Sequence, residues 1–451
     1  MTIVYGSGAR GFIGSDVLGL INKFHGDIRV VSAYNSVQET IDSLPESGGS
    51  IYLPPGIYEE SIIINKPNVH LTGTWDSILQ TPDDASNEEA ATVRVLADNC
   101  IIDNIQIDGN GDNNPQFDSH SDSRYADGIA IYADHVRINK CYIHDMLGHG
   151  IIVWNEEYAS ENISAGPRSD IVISENSVQN LSWRAGIDIA STDTNVDVSN
   201  NISIANNIVS EMRDNTITDY GTGITLHTAN DVTIQGNKIF NVNGHGMALH
   251  TTVFRTVCSN NNISNVNGSG IYTVAFEDGV IQANTINICG EEGILLDRPK
   301  YSQCVNNFIK EATDSGILLL LGASSNVIDN NYIVDISGDS IAINDISTRS
   351  FGFNRILNNR TDGVTIGIII ESGQNEIRDN FITATGAGSK GIVSKEDNHR
   401  FFANRFRGME TGMEFLEDPV DIEIRNNYFD TVSGDSITGA YTGITENNRG
   451  V

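Results

Sequence analysis

Residues that can perform acid–base chemistry or bind a ligand recur at fixed distances after a series of glycines. The fourth residue after such a glycine is Trp154, His227, His250 or Asp297, and the second is Asp188 or Tyr272. Residues two apart in an extended chain point to the same side, so we expect both positions to face outward together. Imidazole, phenol and carboxylate groups serve as general acids and bases, and aromatic rings stack on apolar faces of ligands.

The positions suggest separate roles. We predict Asp188, His227, His250 and Tyr272 as catalytic candidates, and Trp154, Asp297 and the adjacent Arg298 as substrate-binding residues. His227 and His250 occupy the same position in neighbouring repeats, where backbones about 4.8 Å apart would let them share a substrate or titrate together. The alternatives are two surface histidines placed by repetition and, for the aromatic residues, a subunit contact.

Two reaction types are compatible with these groups. Glycoside hydrolysis needs two carboxylates about 5–9.5 Å apart. Asp188 and Asp297, about 19 Å apart at four repeats, are too distant, so Glu157 and Asp193, each seventh after its glycine, are the possible pair. In a lyase or C5-epimerase, a histidine or tyrosine removes a carbon-bound proton while a cation such as Arg298 neutralises the uronate.

Metal dependence is not part of this prediction. We expect no cofactor and no metal site; calcium held by aspartates of the polar loop at 108–128 is the one alternative.

The elements that position these residues follow from a repeat. From Gly223 the glycines recur at Gly246, Gly270, Gly293 and Gly316, a period of about 23 residues. An asparagine before a short apolar pair recurs with the same period, as at Asn237, Asn262, Asn284, Asn307 and Asn331. Between these marks, segments such as GITLHT and GILLDR alternate apolar and other residues, as in short strands. The pattern predicts an all-β fold, a right-handed parallel β-helix solenoid.

The domain organisation follows the repeat. We expect an N-terminal arm or docking element at 1–30, the β-helix at 31–435, a capping helix at about 35–46, and a C-terminal cap or tail at 436–451. The segment NSVQETIDSLPESGGSIYLPPGIYEES resembles the start of pectin-lyase-like β-helix proteins, which include polysaccharide lyases, mannuronan epimerases and viral tailspikes. The Asp-Pro-His-Glu motif of the epimerases is missing, which counts against an ordinary epimerase.

Composition restricts the partners. A formal net charge of −32 makes nucleic acid and anionic membranes unfavourable partners. No apolar run is long enough for membrane insertion. The acidic composition favours a halophilic source, because high salt screens self-repulsion. Five scattered cysteines are expected in the core. No secretory signal is visible, so we expect a protein made in the cytoplasm that acts at the cell exterior or on a virion.

These observations favour a glycan-binding spike protein of the virion tailspike type, with or without glycan cleavage. The resemblance implies carbohydrate as the partner and a homotrimer, and residues 1–30 would contact other virion proteins. The alternatives are a free polysaccharide lyase, C5-epimerase or glycoside hydrolase, and a structural or adhesive β-helix without activity.

Overall fold

A computed structural model describes residues 3–4, 28–33, 35–83, 91–114, 127–155, 166–182, 184–190, 198–212, 221–250, 253–344 and 352–450. The chain divides into two compact units, Met1–Val232 and Thr233–Val451. In each unit, short strands pair in parallel with the equivalent strands of neighbouring coils and form three sheets, here called A, B and C in the order in which one coil visits them.

In the first unit, sheet A contains Ile3–Val4, Ile28–Val30, Gly49–Tyr52, Val69–Thr72, Ile101–Asp103, Arg137–Asn139, Ser169–Ser174, Ser199–Ala205 and Ala229–Gln235, the last of which includes the boundary between the units. Sheet B contains Gly56–Glu59, Ser77–Gln80, Gln106–Asp108, Tyr142–His144, Ser177–Leu181 and Ile208–Met212. Sheet C contains Ile62–Ile64, Val93–Val95, Ile129–Ile131, Ile151–Trp154, Ile187–Ala190 and Ile224–Leu226.

In the second unit, sheet A contains Val253–Phe254, Val257–Ser259, Phe276–Glu277, Val280–Gln282, Gln303–Val305, Val327–Asp329, Arg355–Leu357, Glu376–Arg378, Arg400–Phe402, Ile422–Arg425 and Gly443–Glu446. Sheet B contains Lys238–Val242, Asn262–Val266, Thr285–Cys289, Phe308–Ala312, Tyr332–Val334, Arg360–Val364, Phe381–Ala384, Arg405–Arg407, Tyr428–Asp430 and Arg449–Gly450. Sheet C contains Met247–Leu249, Ile271–Val274, Ile294–Asp297, Ile317–Leu320, Asp339–Asn344, Ile366–Ile370, Lys390–Ser394, Thr411–Phe415 and Ile437–Thr438.

This arrangement confirms the predicted parallel β-helix. Equivalent residues of successive coils are paired without offset, as in Ile271 with Ile294 and Ile294 with Ile317. The recurring glycines precede sheet C, where neighbouring backbones approach closely. A Cβ added at Gly270 would lie 2.6 Å from the carbonyl oxygen of Gly293. Isoleucine and valine side chains from the three sheets fill the core of each unit.

The asparagines form buried ladders at the corner between sheets A and B. Asn284 donates from its backbone nitrogen and its side-chain amide to the Oδ1 atom of Asn307, both at 3.0 Å, and Asn307 repeats the pattern towards Asn331. Each amide therefore satisfies a corner backbone group of the adjacent coil. One predicted position is wrong: the ladder residue is Asn261, and Asn262 is an exposed strand residue beside it.

The N-terminal region contains the expected helix, at Val37–Asp42. Its N-cap Ser36 accepts a hydrogen bond from the backbone nitrogen of Glu39, and Val37 and Ile41 are buried. Gln38 bonds the backbone of Ile63, which attaches the helix to sheet C. A capping role for this helix stays a prediction.

Both ends of the predicted β-helix differ from the expected limits. The strand Ile28–Val30 already pairs with Ser50–Tyr52, so the sheet includes residues assigned to the arm. Residues 5–27 lie outside the described residues. At the other end, Ile437 pairs with Met413 and Arg449 with Tyr428, so coil pairing continues through the segment predicted as a cap or tail.

The five cysteines are buried and free, as expected. Burial raises the pKa of the Cys141 thiol to about 12. Within the described residues, no helix has the length and apolar character to span a membrane.

Candidate functional site

Four ionisable side chains from four successive coils meet in the first unit. Asp127 and His149 each come directly before one of the recurring glycines. Asp188 lies on a strand of sheet C, and His227 follows the next strand of that sheet. His149 Nδ1 lies 2.8 Å from Asp127 Oδ1, and its Nε2 lies 3.1 Å from Asp188 Oδ2. His227 Nε2 lies 3.7 Å from Asp188 Oδ1. The result is a continuous chain, Asp127–His149–Asp188–His227.

His149 is a buried cation between two carboxylates. Burial by itself lowers the pKa of His149, but Asp127 and Asp188 outweigh it and raise this pKa to about 9. At neutral pH both ring nitrogens therefore carry protons, and each donates to one aspartate. Asp127 also accepts from the backbone nitrogen of His149 at 2.9 Å. An imidazolium held in this way orients the carboxylates and does not act as a base.

Asp188 is held as an anion at the centre of the chain. Its burial raises its pKa, but His227, His149 and Arg184 act in the opposite direction and leave the pKa of Asp188 below its ordinary value. The His227 side chain beside it is 37% exposed, whereas Asp188 and His149 are almost completely buried. His227 is therefore the member of this group that a ligand can reach, and Asp188 lies beside it and orients it.

The predicted substrate-binding role of Trp154 stays a prediction. Trp154 is only 8% exposed and packs with Ala91, Ala130, Ile152 and Ala190. Its ring meets that of His149 edge-on, with centroids 6.1 Å apart. Trp154 shares the outer face of sheet C with Ile152 and Ala190, as the outward register predicts, and its ring supports His149.

Several polar atoms in this region lack hydrogen-bond partners among the described residues. They are Asp127 Oδ2, Trp154 Nε1 and the Nδ2 atom of Asn155, all on buried residues. Buried polar groups are normally satisfied by protein or by ordered water, so such a concentration is characteristic of a place where water or a ligand group binds.

His250 and Tyr272, the other catalytic candidates, belong to the second unit. The Tyr272 ring stacks on His245 with centroids 4.8 Å apart and meets His250 edge-on at 5.4 Å. Ser269 donates its backbone nitrogen to His245 Nδ1 at 2.9 Å and its hydroxyl to Glu292 at 2.9 Å. The two candidates thus contact each other within a larger polar group, while the predicted pairing of His227 with His250 stays a prediction.

The remaining substrate-binding candidates have local partners or are not described. Arg298 forms an ion pair with its neighbour Asp297, with a nitrogen–oxygen distance of 3.3 Å. Asp297 ends the strand Ile294–Asp297, and a substrate contact there stays a prediction. Glu157 and Asp193, the possible hydrolytic pair, lie outside the described residues.

One group of side chains near the predicted calcium loop has the composition of a metal site. The ligand atoms of Asp108, His144 and Asp145 lie within 4.8 Å of one another. His144 Nδ1 is 2.7 Å from Asp145 and 4.0 Å from Asp108, and Gln80 donates to Asp108 at 2.7 Å. Calcium prefers oxygen ligands, so this donor set with its histidine does not match the calcium alternative. Residues 115–126 of the 108–128 loop lie outside the described residues.

Asp127 and His149 were missed by the sequence analysis because it examined only positions after each glycine. The residues directly before the glycines include Asp127, His149, Thr222, His245, Ser269 and Glu292, which are all polar. This recurrence was available as a signal, since a polar residue at a buried corner needs a partner on an adjacent coil.

Comparisons with known proteins agree with the fold. The profile of the right-handed β-helix region family matches residues 202–356 and 255–386, which confirms the handedness, and that of the periplasmic copper-binding protein NosD matches residues 337–441. No curated protein is significantly similar in sequence.

Solved structures with similar folds share little sequence with this chain. An N-terminal fragment of bacteriophage Phi29 gene product 12 is 11% identical, with 92% of this chain and 91% of that chain covered and a TM-score of 0.54. The catalytic domain of a GH87 alpha-1,3-glucanase is 12% identical, with 93% and 68% covered and a TM-score of 0.47. The Dettilon tailspike protein is 12% identical, with 76% and 59% covered and a TM-score of 0.43.

Proposed function

We propose that this protein binds a polysaccharide and acts on it by general acid–base chemistry at His227. The supporting observation is the Asp127–His149–Asp188–His227 chain, in which three buried groups hold one accessible imidazole. A polysaccharide is proposed because the N-terminal segment resembles the pectin-lyase-like proteins and because a solenoid presents equivalent positions to an extended polymer.

Base chemistry fits the geometry better than hydrolysis by Asp127 and Asp188. A hydrolase needs one protonated carboxylic acid within reach of the leaving oxygen. Both aspartates are buried and bonded to the same imidazolium, and the pKa of Asp188 is below its ordinary value. Asp188 is therefore not suited to donate a proton at neutral pH, and Asp127 is already bonded to the His149 imidazolium.

In a β-elimination, His227 would take the proton from the carbon next to a uronate carboxyl. The electron pair of that C–H bond forms a C4–C5 double bond and the C4–O bond breaks. The leaving oxygen takes a proton from the His227 imidazolium or from water. In an epimerisation, a proton would instead return to the opposite face of the same carbon. In both reactions Asp188 stabilises the imidazolium that forms on His227.

The test compares His227→Ala with a matched control in the same unit. His135 and Asp170 form an exposed histidine–aspartate pair, 3.0 Å apart, outside the buried chain. Incubation with uronate-containing and neutral polysaccharides would be followed by near-ultraviolet absorbance, by reducing ends and by proton exchange into the sugar. We expect His227→Ala to abolish turnover and His135→Ala to retain it. Full turnover by His227→Ala would refute the proposal.

Asp188 is a positioning residue in this scheme, so its variant should have a distinct effect. Asp188→Asn removes the negative charge beside His227 while keeping nearly the same shape. We expect a lower kcat, a nearly unchanged KM and a shift of the acidic limb of the pH profile to lower pH, because the protonated form of the base loses a neighbouring anion. An unchanged pH profile would mean that Asp188 supports the structure only.

The spike-like setting of this activity is a separate proposal, motivated by the resemblance to tailspikes and by the predicted docking arm. Deletion of residues 1–27 spares the strand Ile28–Val30, which pairs with Ser50–Tyr52. The truncated chain should fold and retain turnover but no longer associate with particle proteins. Sedimentation of the full chain tests the predicted trimer, and a monomer would contradict it.

The halophilic origin is also testable through the net charge of −32. Salt screens repulsion between exposed charges, so we expect the thermal midpoint to rise as sodium chloride is added. A midpoint independent of salt would contradict this expectation.

A further inference from the structure

A column of alternating aromatic and arginine side chains lies on sheet B of the second unit. Paired positions in successive coils place Phe308, Tyr332, Arg360, Phe381, Arg405 and Tyr428 in one line. We call these six residues the arginine–aromatic column. At about 4.8 Å per coil, its five steps extend over about 24 Å.

The arginines of this column are stacked against aromatic rings on both sides. The Arg360 guanidinium carbon lies 5.0 Å from the ring centre of Tyr332 and 5.7 Å from that of Phe381. Arg405 lies 5.5 Å from Phe381 and 5.3 Å from Tyr428. Stacking fixes the plane of a guanidinium group while its edge can still donate hydrogen bonds. The arginines are thus held in place before any ligand binds.

These guanidinium groups remain accessible. The side chains of Arg360 and Arg405 are 56% and 52% exposed. Arg360 uses Nε and one terminal nitrogen to bond Asp362, at 2.8 and 2.7 Å, which leaves its other terminal nitrogen outside that contact. Arg405 reaches Asp430 only at 3.5 Å. Both arginines therefore keep donor capacity towards a ligand.

A second arginine column, on sheet A of the same unit, differs in the residues that stand between its arginines. There Arg355, Glu376, Arg400 and Glu423 occupy paired positions, so a carboxylate stands between the two arginines. Arg355 pairs with Glu376, and Arg400 with Glu423, each at 3.7 Å. In the arginine–aromatic column, uncharged rings occupy those intervening places, so no carboxylate of the column itself neutralises its arginines.

The spacing of the positive charges suggests the ligand. Arg360 and Arg405 are two coils apart, about 10 Å. One coil step is close to the length of one pyranose residue in an extended glycan, so the two arginines match every second sugar. Carboxylate and sulfate groups are the anions that a planar guanidinium binds by two hydrogen bonds.

We propose that the arginine–aromatic column binds a linear acidic polysaccharide that carries a carboxylate or sulfate on alternate sugars. The polysaccharide would lie along the column, with its anionic groups on Arg360 and Arg405 and the intervening sugar against Phe381. This inference rests on the proposed function only for the class of ligand, since the column is separate from the His227 chemistry and is itself a binding surface.

The test measures binding to chondroitin, which has a carboxylate on alternate sugars, with neutral dextran as the comparison. The double variant Arg360→Gln/Arg405→Gln removes both column charges. The matched control Arg355→Gln/Arg400→Gln removes two charges at the same spacing from sheet A. At low ionic strength we expect about tenfold or greater weakening for the first variant and about twofold or less for the control.

The outcomes separate the alternatives. Equal weakening by both double variants would indicate a general charge effect and overturn the proposal, as would equal binding of dextran or no binding of chondroitin by the unaltered protein. If the glutamine variant melts early, Arg360→Lys/Arg405→Lys keeps the charge but loses the planar stacked group. Weakening of about threefold or more then supports the column, and unchanged affinity overturns it.

Failure of this inference and failure of the proposed function give different results. Binding is measured in the His227→Ala background, where turnover is absent under the proposed function. A chain that binds chondroitin through the column but never converts any polysaccharide refutes the proposed function and leaves the column intact. If the protein converts a polysaccharide but its binding of chondroitin does not depend on Arg360 and Arg405, the proposed function stands and the arginine–aromatic column is refuted as the binding surface.

Discussion

His399 replaces an asparagine in a buried ladder and should make the second unit sensitive to acid. The ladder runs through Asn326, Asn354 and Asn375, and the backbone nitrogen of Asn375 then donates to His399 Nδ1 at 3.2 Å. The His399 side chain is fully buried against Phe401, and its Nε2 has no hydrogen-bond partner among the described residues. Burial lowers the pKa of His399 to about 4, against a smaller opposing effect of Asp397.

The change His399→Asn removes this titration and restores the ladder residue. The unfolded chain binds a proton at His399 near pH 6.5, whereas the folded chain does so only near pH 4, so acid favours unfolding of the unaltered protein. The resulting decrease in the free energy of unfolding is absent above about pH 7 and reaches about 2 kcal/mol at pH 5 and about 3 kcal/mol at pH 4. The variant should avoid this decrease entirely.

Urea unfolding of both chains between pH 4 and pH 8 tests this reasoning. Charge effects common to both chains cancel in the difference between their free energies of unfolding. We expect that difference to be nearly constant above pH 7 and to move in favour of His399→Asn by about 3 kcal/mol at pH 4. The exposed His135→Asn variant should show little change. A difference that stays flat with pH would refute the assignment of a neutral buried imidazole at this position.

Three further predictions concern the corners and the buried cation. Asn261→Ala removes ladder hydrogen bonds to both neighbouring coils and should lower the free energy of unfolding by about 3 kcal/mol or more. The control Asn262→Ala should lower it by less than about 1 kcal/mol. Similar losses for the two variants in urea unfolding would contradict the ladder. Gly270→Ala introduces a Cβ that would lie 2.6 Å from a carbonyl oxygen and should lower the thermal midpoint sharply. The control Gly166→Ala has open space around its Cβ and should leave the midpoint unchanged. Equal midpoints for the two variants would contradict the close approach. The pKa of His149 is raised to about 9, so protonated His149 stabilises the fold fully below about pH 6.5 and this stabilisation is lost as the pH rises through 9. The difference in free energy of unfolding between the unaltered protein and His149→Gln should therefore shrink by about 3 kcal/mol at pH 10. A difference that does not change with pH would refute the buried imidazolium.

Much of the fold could be predicted from the sequence because a solenoid repeats its local rules. Gly270 and Gly293 mark close backbone contacts, and Asn284 and Asn307 mark the corners, since these residue types meet the steric and hydrogen-bonding demands there well. The register along sheet C follows from the sequence in the same way and places Asp188 and His227 on neighbouring coils.

The tertiary structure decided which of these outward residues are accessible and what they contact. The sequence pattern assigns Trp154 and His227 to the same outward position, yet the Trp154 side chain is buried against Ala130, Ile152 and Ala190, whereas that of His227 is 37% exposed. Burial depends on which side chains the neighbouring coils place beside each position. The sequence pattern also could not show that His149 bridges two aspartates. The period and polarity of the sequence predict which residues share a column. The direction of a corner side chain such as that of His149 is set by the three-dimensional backbone, and this direction brings separate ionisable residues into contact at one site.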